Sequence, residues 1–285
     1  MEAALGYEKE LKSHVERERA AVKLSSKVGE LLYDKGIELV LFRNHLTDVT
    51  ISEILNLHEY ARNVVNKPID VFTSSELAEE ISKMDLAPSK LDIGKLSSEW
   101  LAEHANFSSK AEFLQQKLGG FQTAGNNAIE PRDVVLYGFG RIGRLAAREL
   151  IKQAGKGQQL RLRAIVTRGS SDADIIKRAS LLRNDSVHGA FKGSVIEDLE
   201  NKSLNINGQI VRMIDAKNPE DIDYTAFGIN NALIIDNTGV FTNREALSRH
   251  LQAKGASKVI LTAPGKEIPN IVYGINQGTL DIENE

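Results

Sequence analysis

A turn with three glycines, in residues 134–144, constrains the fold of this chain more than any other feature. Gly138, Gly140 and Gly143 follow the short apolar run Val134-Val135-Leu136-Tyr137. Residues 145–151, Leu-Ala-Ala-Arg-Glu-Leu-Ile, then have the composition of a helix. A strand, a glycine turn and a helix in this order form the setting in which G-x-G-x-x-G predicts dinucleotide binding. The alternative is a turn that serves packing alone.

Each glycine of this turn has a separate physical task. The first permits the tight turn, the second lets the backbone approach a pyrophosphate, and the third lets the helix pack closely on the strand. The start of the helix then offers free N–H groups and about half an elementary positive charge to the phosphates. We therefore predict a phosphate site where this helix begins.

Strand and helix patterns alternate through the second half of the chain. Helical patterns lie around 143–154, 172–182 and 243–254. The five candidate strands are Asp133–Tyr137, Leu160–Val166, Ile210–Ile214, Ala232–Ile235 and Lys258–Leu261. This alternation favours a mainly parallel sheet that is covered on both faces. The predicted fold class is α/β, a doubly wound Rossmann-type sheet preceded by a mostly α-helical domain.

The first half of the chain has the patterns of helices. Leu11, Val15, Val22, Val28 and Leu32 suggest the apolar stripe of a long first helix. The segment 37–42 is either a short strand or a continuation of helix. Three capping boxes, in which a hydroxyl residue precedes a glutamate by three positions, predict helices that begin near 51, 74 and 110. These boxes are Thr50 with Glu53, Thr73 with Glu76, and Ser109 with Glu112.

A glycine-rich stretch between the two halves predicts a linker. Residues 119–127 contain Gly119-Gly120 and Gly125-Asn126-Asn127 and come before Pro131. We therefore predict a helical N-terminal extension over residues 1–125 and a nucleotide-binding domain over residues 126–285.

Composition narrows the class of function. The 285 residues carry a net charge of -3, and the sequence has no long basic run, which argues against nucleic acid as a partner. No apolar stretch approaches the roughly 18 residues of a membrane span, and the charged start does not fit a signal peptide. A cytoplasmic location is the expectation. The six histidines have no metal-ligand spacing, so no metal site is expected.

The second half resembles the nucleotide-binding domain of glyceraldehyde-3-phosphate dehydrogenase. The resemblance runs in order from about Asp133 to Asn276, roughly half of the chain. Five blocks carry it: Gly138–Arg144, Asp185–Gly189, Asn207-Gly208, Thr238–Phe241 and Thr262–Lys266. His188, inside the second block, is interpreted as a structural hydrogen-bonding residue rather than a catalytic one.

The resemblance implies a set of residues that bind NAD or NADP. The backbone at Arg141 and Ile142 would meet the pyrophosphate, and Lys217 would lie near the adenine. Thr238, Gly239 and Phe241 would wall the ribose and adenine side, and Thr262 would reach the nicotinamide side. The full predicted set is Gly138, Phe139, Gly140, Arg141, Ile142, Gly143, Thr167, Arg168, Lys217, Thr238, Gly239, Phe241 and Thr262.

The residue at the end of the second strand departs from the family. A carboxylate there accepts hydrogen bonds from the ribose 2′-hydroxyl of NAD and repels the 2′-phosphate of NADP. This chain has Thr167 at that position, and Arg168 follows it. A pair between Arg168 and the phosphate would contribute about 1.5–3 kcal/mol. We therefore expect NADP to bind at least as well as NAD; the alternative is that Arg168 points to solvent.

The absence of cysteine is the larger departure. Family members place a nucleophilic cysteine in a Ser-Asn-Ala-Ser-Cys-Thr-Thr-Asn run soon after this domain, whereas this chain has none and ends at Glu285. A thiolate is the group that would attack the aldehyde. The expectation is a truncated oxidoreductase that binds the cofactor without turnover, its complete form oxidising a phosphorylated aldehyde and possessing a catalytic domain that is absent here. The alternative is a non-catalytic dinucleotide-binding regulator or scaffold, whose helical half binds a partner or forms a homo-oligomer.

Overall fold

A computed structural model of the chain describes residues 2–121, 130–155, 157 and 159–281. The chain divides into two compact units. The first contains residues 1–130 with 153–159, and the second contains residues 131–152 with 160–285. The domain boundary predicted between residues 125 and 126, and most of the predicted linker, lie outside the described residues.

The first unit is mostly helical and contains a small sheet. Its elements are α1 (Glu2–Lys35), β1 (Ile37–Leu41), β2 (Asn44–His45), α2 (Ile51–Asn63), α3 (Val71–Lys83), β3 (Ser89–Asp92), α4 (Ile93–Glu103) and α5 (Lys110–Leu118). Strand β1 pairs antiparallel with β2 and parallel with β3. The segment 37–42, which the sequence left open, is therefore a strand, and its residues 37–41 are buried.

Two of the three predicted helix starts are confirmed. Thr50 and Glu53 form a complete capping box at α2. Ser109 accepts the N–H of Glu112 at α5, although the Glu112 carboxylate accepts the N–H and hydroxyl of Ser108 instead. The predicted start near 74 is wrong because Asp70 caps α3, which begins at Val71.

The apolar stripe predicted for α1 is correct only in part. Val28 and Leu32 are buried, together with Ala21, Leu24 and Leu31 on the same side of the helix. Tyr7, Leu11, Val15 and Val22 are instead exposed, with 37–68% of their surface accessible to solvent. Residues 6–16 are exposed on every side of the helix. The face that packs is thus about a third of a turn away from Leu11, Val15 and Val22.

The second unit alternates strands and helices. Its elements are β4 (Arg132–Tyr137), α6 (Arg141–Gln153), β5 (Leu160–Thr167), α7 (Asp172–Arg183), β6 (Asn184–Asp185), β7 (Gly189–Ala190), β8 (Val195–Asp198), β9 (Ser203–Ile206), β10 (Gln209–Asp215), β11 (Ala232–Asp236), α8 (Arg244–Ser248) and β12 (Ala256–Leu261). All five predicted strands are present. The sequence patterns missed β8 and β9 and the two-residue hairpin of β6 and β7.

Seven of these strands form one sheet, in the order β12-β11-β4-β5-β10-β9-β8. The first five are parallel to one another, and β9 and β8 add an antiparallel ribbon beside β10. Strand order runs outward from β4 in both directions, which is the doubly wound arrangement. The predicted Rossmann-type α/β fold is confirmed.

Alternate residues of β4 enter two separate cores. Leu136 packs with Ala147 and Ile151 of α6 on one face of the sheet. Val135 and Tyr137 pack on the other face, in a cluster that includes Leu247 of α8. Burial on both faces explains why β4 reads as a continuous apolar run. It also fixes the point at which the chain leaves the sheet, after Tyr137.

Within the described ranges, no helix combines the length and apolar character that a membrane span requires. The same ranges contain no group of three or more histidine, aspartate and glutamate side chains arranged to hold a metal ion.

Candidate functional site

The carboxyl ends of β4 and β11 lie side by side at the edge of the sheet where the candidate site forms. Tyr137, the last residue of β4, is in register with Asp236, the last residue of β11. The N–H of Asn237 donates to the carbonyl oxygen of Tyr137 at 2.8 Å. After β4 the chain continues to β5, and after β11 it continues to β12, which lies on the opposite side of the sheet order. This divergence opens the crevice in which α/β sheets bind ligands.

The three glycines of the turn have the properties that their predicted tasks require. Gly138 has a φ of 92°, and a Cβ there would stand 2.7 Å from Cγ2 of Thr238. A Cβ at Gly143 would come inside 3.0 Å of the carbonyl oxygen of Gly138, which is a backbone atom. A Cβ at Gly140 would meet nothing within 4 Å. The first and third glycines are therefore required by the protein's own packing, whereas Gly140 borders open space.

Helix α6 begins beside the loop that contains Asp185. The side chains of Arg141 and Arg144 both reach Asp185, at 3.5 and 3.3 Å. The backbone N–H groups of Val187 and His188 donate to the same carboxylate. These two bonds, together with the bond from Arg144, hold the pKa of Asp185 far below its usual range. The ring of His188 lies 3.2 Å from Asp185. His188 thus has the kind of structural contact that the sequence interpretation assigns to it.

A cavity of about 230 Å³ opens at the carboxyl edge of the sheet. It brings together five of the predicted residues, Gly138, Thr167, Arg168, Thr238 and Phe241. Four further residues line the cavity and were not predicted from the sequence: Tyr137, Val166, Ala216 and Val240. Two of these four, Tyr137 and Ala216, end a strand or directly follow one, a position that could have revealed them.

The charge around this cavity is mixed. Burial, and then the Asp236 carboxylate, raise the pKa of the Tyr137 hydroxyl, while the Arg168 guanidinium acts in the opposite direction. Arg168 is therefore close enough to influence Tyr137 electrostatically. The Thr167 hydroxyl donates to the carbonyl oxygen of Gly169 at 2.9 Å.

Asp215 is a site-edge residue that the sequence analysis missed. It ends β10 in register with Thr167 of β5, and its Oδ1 accepts the N–H of Gly169 at 2.8 Å. Its charge therefore lies beside the turn that carries Arg168. Only the pairing of two strands about 50 residues apart brings these groups together, so no local pattern could have indicated it.

The other predicted residues lie outside the lining of this cavity. Phe139 is buried in the core below α6, and Ile142 is half exposed at the start of that helix. Arg141 donates to the Ser186 hydroxyl at 3.0 Å, and Lys217 is exposed after β10. Thr262 follows β12 and donates to the carbonyl oxygen of Asp236 at 3.0 Å. Gly239 has a φ of 68° in the turn after β11.

The doubly wound sheet, the glycine turn and the helix that follows it define a dinucleotide-binding domain of the Rossmann class. Comparison with known families identifies which one. The family profile for "Glyceraldehyde 3-phosphate dehydrogenase, NAD binding domain" matches residues 132–244. The second unit therefore contains the NAD-binding domain of the glyceraldehyde-3-phosphate dehydrogenase family, and it has the dinucleotide-binding role of a dehydrogenase.

Individual relatives agree with this assignment. A glyceraldehyde-3-phosphate dehydrogenase-like protein of Pseudomonas aeruginosa (strain UCBPP-PA14) is 39% identical over 262 residues, which are 90% of this chain and 57% of that protein. The glyceraldehyde-3-phosphate dehydrogenase of Streptococcus pyogenes is 34% identical over 149 residues, 52% of this chain and 41% of that enzyme. The chain thus spans about half the length of the relatives it matches. The similarity to the first relative includes most of the helical unit.

Proposed function

We propose that this chain is the dinucleotide-binding portion of an oxidoreductase that acts on a phosphorylated aldehyde by hydride transfer to nicotinamide. The proposal divides the chain into a helical extension, residues 1–125, and a nucleotide-binding domain, residues 126–285. The observation that carries it is the glycine turn at the switch point between β4 and β11, directly before α6.

The residues at this edge fit a dinucleotide. The backbone next to Gly140 borders open space, so a phosphate can approach it, and the N–H groups of Arg141 and Ile142 begin a helix of 13 residues. The nicotinamide group supplies the hydride chemistry when it is bound. The chain itself binds and orients: Phe241 and Val240 offer apolar walls, and the Thr238 turn borders Gly138.

The proposal includes the choice between NAD and NADP. We infer that NADP binds at least as well as NAD, because the second strand ends in Thr167 rather than a carboxylate and Arg168 borders the cavity. A charge-assisted pair with a 2′-phosphate would strengthen binding by about ten- to a hundredfold. The Asp215 carboxylate beside the same turn opposes this preference.

We further propose that the chain alone has no turnover. Oxidation of an aldehyde through an acyl-enzyme requires a nucleophile, and the sequence contains no cysteine. The named enzymes among the relatives act on glyceraldehyde 3-phosphate, which motivates the phosphorylated aldehyde as the substrate class; erythrose 4-phosphate is the alternative of the same class.

Calorimetric titration with NAD and, separately, with NADP tests the cofactor proposal. The only tryptophan, Trp100, lies in the helical unit, so tryptophan fluorescence would report poorly on the site. We expect one site, with an affinity for NADP equal to or above that for NAD. A lack of binding of both would refute the cofactor proposal, and a tenfold preference for NAD would refute the NADP inference. With glyceraldehyde 3-phosphate, the formation of reduced nicotinamide should not exceed the protein-free rate.

An exposed apolar face of α1 favours a second candidate function, which is self-association through the helical unit. Tyr7, Leu11, Val15 and Val22 fall within an arc of roughly 80° on α1, outside the core of the unit. The end of α1 that is exposed on all sides, residues 6–16, has a length at which a helix without packing is marginally stable in water, so a partner would stabilise it.

The charges beside this α1 face suit a second copy of the chain. Glu8 and Arg19 lie on the same flank of the face, and an antiparallel crossing between residues 13 and 14 would bring Glu8 of each copy opposite Arg19 of the other. The same crossing would bring Leu11 beside Val15. We therefore propose that the chain forms this antiparallel dimer through α1, and that the dimer is the basis of the scaffold role. Sedimentation of the intact chain tests it, and a monomer at high micromolar concentration would refute it.

A further inference from the structure

A buried hydrogen bond between an aspartate and a histidine beneath the candidate site has no part in the proposed function described above. Asp236 and His250 are both 0% exposed, and Nε2 of His250 donates to Oδ2 of Asp236 at 2.8 Å. A carboxylate accepts but does not donate, so Nε2 has the ring proton. Taking a carboxylate out of water is costly unless several donors surround it. The other contacts of Asp236 show which donors these are.

The second oxygen of Asp236 holds the turn that follows β11. Its Oδ1 accepts the backbone N–H of Thr238 at 2.7 Å and the hydroxyl of Thr238 at 2.7 Å. The Thr238 Oγ1 in turn accepts the N–H of Val240 at 3.1 Å. One carboxylate therefore fixes both the backbone and the side chain of Thr238, and through them Val240. Thr238 and Val240 both line the cavity.

His250 is itself held by two aromatic rings that line the same cavity. Its ring lies edge to face with Tyr137 at 4.6 Å and with Phe241 at 5.1 Å between centroids. Nδ1 of His250 is buried and has no hydrogen-bond partner among the described residues. The ring thus makes a single polar contact, the one to Asp236. Packing of the His250 ring against Tyr137 and Phe241 therefore sets the direction in which Nε2 donates to Asp236.

We propose that the buried Asp236–His250 pair is a positioning device that holds the Thr238–Val240 turn in the conformation that receives the dinucleotide. This inference rests on the proposed cofactor function, which it deepens by naming residues that act through Thr238 rather than by touching the ligand. Replacing both members of a buried polar pair by apolar residues is often nearly neutral for stability, whereas removing one member leaves the other buried without a partner. The geometry of the turn, rather than the stability of the unit, is what the pair supplies.

Substitution at Asp236 separates positioning from packing. Asp236→Leu removes both acceptors, whereas Asp236→Asn keeps an oxygen for Thr238 and an amide that can donate to Nε2 of His250 after the ring proton moves to Nδ1. For Asp236→Leu we expect dinucleotide binding to weaken by about ten- to a hundredfold, the loss of bonds to a charged group. For Asp236→Asn we expect an affinity within about threefold of the wild type.

Hydrogen–deuterium exchange of the unliganded protein is the second readout, and it does not depend on the cofactor. The amides of Thr238 and Val240 should exchange about tenfold faster or more in Asp236→Leu, and near the wild-type rate in Asp236→Asn. If Asp236→Leu does not fold, Thr238→Val decides, because it removes only the hydroxyl bonds and should speed exchange at Val240.

The two proposals fail in different ways. Exchange at Thr238 and Val240 that is unchanged in Asp236→Leu, or at Val240 in Thr238→Val, would overturn the positioning role. Equal loss of affinity in Asp236→Asn and Asp236→Leu would also overturn it. If the wild-type chain bound neither NAD nor NADP, the proposed function would fail, while the exchange rates would still test the positioning of the turn.

Discussion

The glycine turn allows a paired prediction that separates packing from ligand binding. In Gly143→Ala the added methyl would come inside 3.0 Å of the backbone carbonyl oxygen of Gly138, so either α6 or the turn must shift. Overpacking of this kind costs about 1–3 kcal/mol, and the higher helix propensity of alanine returns up to about 1 kcal/mol. The expected net loss is about 1–2 kcal/mol. At about 2–4 °C per kcal/mol, the melting temperature should fall by about 2–8 °C.

Gly140→Ala is the matched control because the methyl would meet no protein atom within 4 Å. Stability should change by less than about 0.5 kcal/mol. The methyl would nevertheless occupy the open side of the turn, where a phosphate must approach the N–H groups of Arg141 and Ile142. Loss of those charge-assisted bonds corresponds to about ten- to a hundredfold weaker dinucleotide binding.

Thermal unfolding and calorimetric titration of both variants together provide the assay. Gly143→Ala should lose both stability and affinity, and Gly140→Ala should lose affinity alone. The reasoning would be refuted if Gly140→Ala bound NAD like the wild type. An equal drop in melting temperature in the two variants would also refute it, because the two glycines would then have the same packing role.

Three further predictions concern other parts of the chain. Asp215→Asn removes a carboxylate beside the Arg168 turn, so it should raise the affinity for NADP relative to that for NAD by about tenfold. Paired titrations measure this ratio, and an unchanged ratio would place Asp215 outside the reach of the 2′-phosphate. Burial lowers the pKa of His58, so its contribution to stability is fully present above the unfolded pKa of about 6.5 and is lost as the pH falls below that value. Between pH 7 and pH 5 the melting temperature should therefore fall less steeply in His58→Gln than in the wild type, and an equal slope would contradict this prediction. The double substitution Leu11→Glu and Val15→Glu should convert the α1 dimer into a monomer, as measured by sedimentation, without lowering the melting temperature of the monomer. A dimer that persists would assign the contact to another surface.

The second unit was predictable because its signals are local and have fixed spacing. The glycine turn and the apolar run before it define β4, the crevice and the start of α6, whatever the rest of the chain does. The central parallel strand β4 is buried on both faces and therefore reads as a continuous apolar segment. The antiparallel β8 and β9 have only four residues each and contain polar side chains, so they leave no comparable apolar run.

Competing local signals and tertiary packing explain the errors in the first unit. Asp70 and Thr73 each stand where a capping residue could begin a helix, and Asp70 is used because α3 then buries Val71. The stripe on α1 was misassigned in part because the sequence contains two apolar faces, and only contacts with α3, α2 and β1 determine which one packs. Strand β3 depends on pairing with β1, some 50 residues away, which no local pattern reports.

The carboxyl edge was predictable as a place but not as a set of contacts. Strand ends indicate that residues near 138, 167 and 238 converge. The sequence does not indicate that Asp236 and His250 are buried together, or that Asp215 borders the Arg168 turn. These pairs depend on strand register and on how the segment after α8 folds back on the sheet.

The measurement that tests the central claim most directly is hydrogen–deuterium exchange of the intact chain with and without saturating NAD. If the dinucleotide binds at the switch point, exchange should slow at the glycine turn, residues 138–143, and at the turn after β11, residues 237–240. The amides of α2 to α5 should keep their rates. Protection confined to the helical unit, or no protection at all at saturating NAD, would contradict the account.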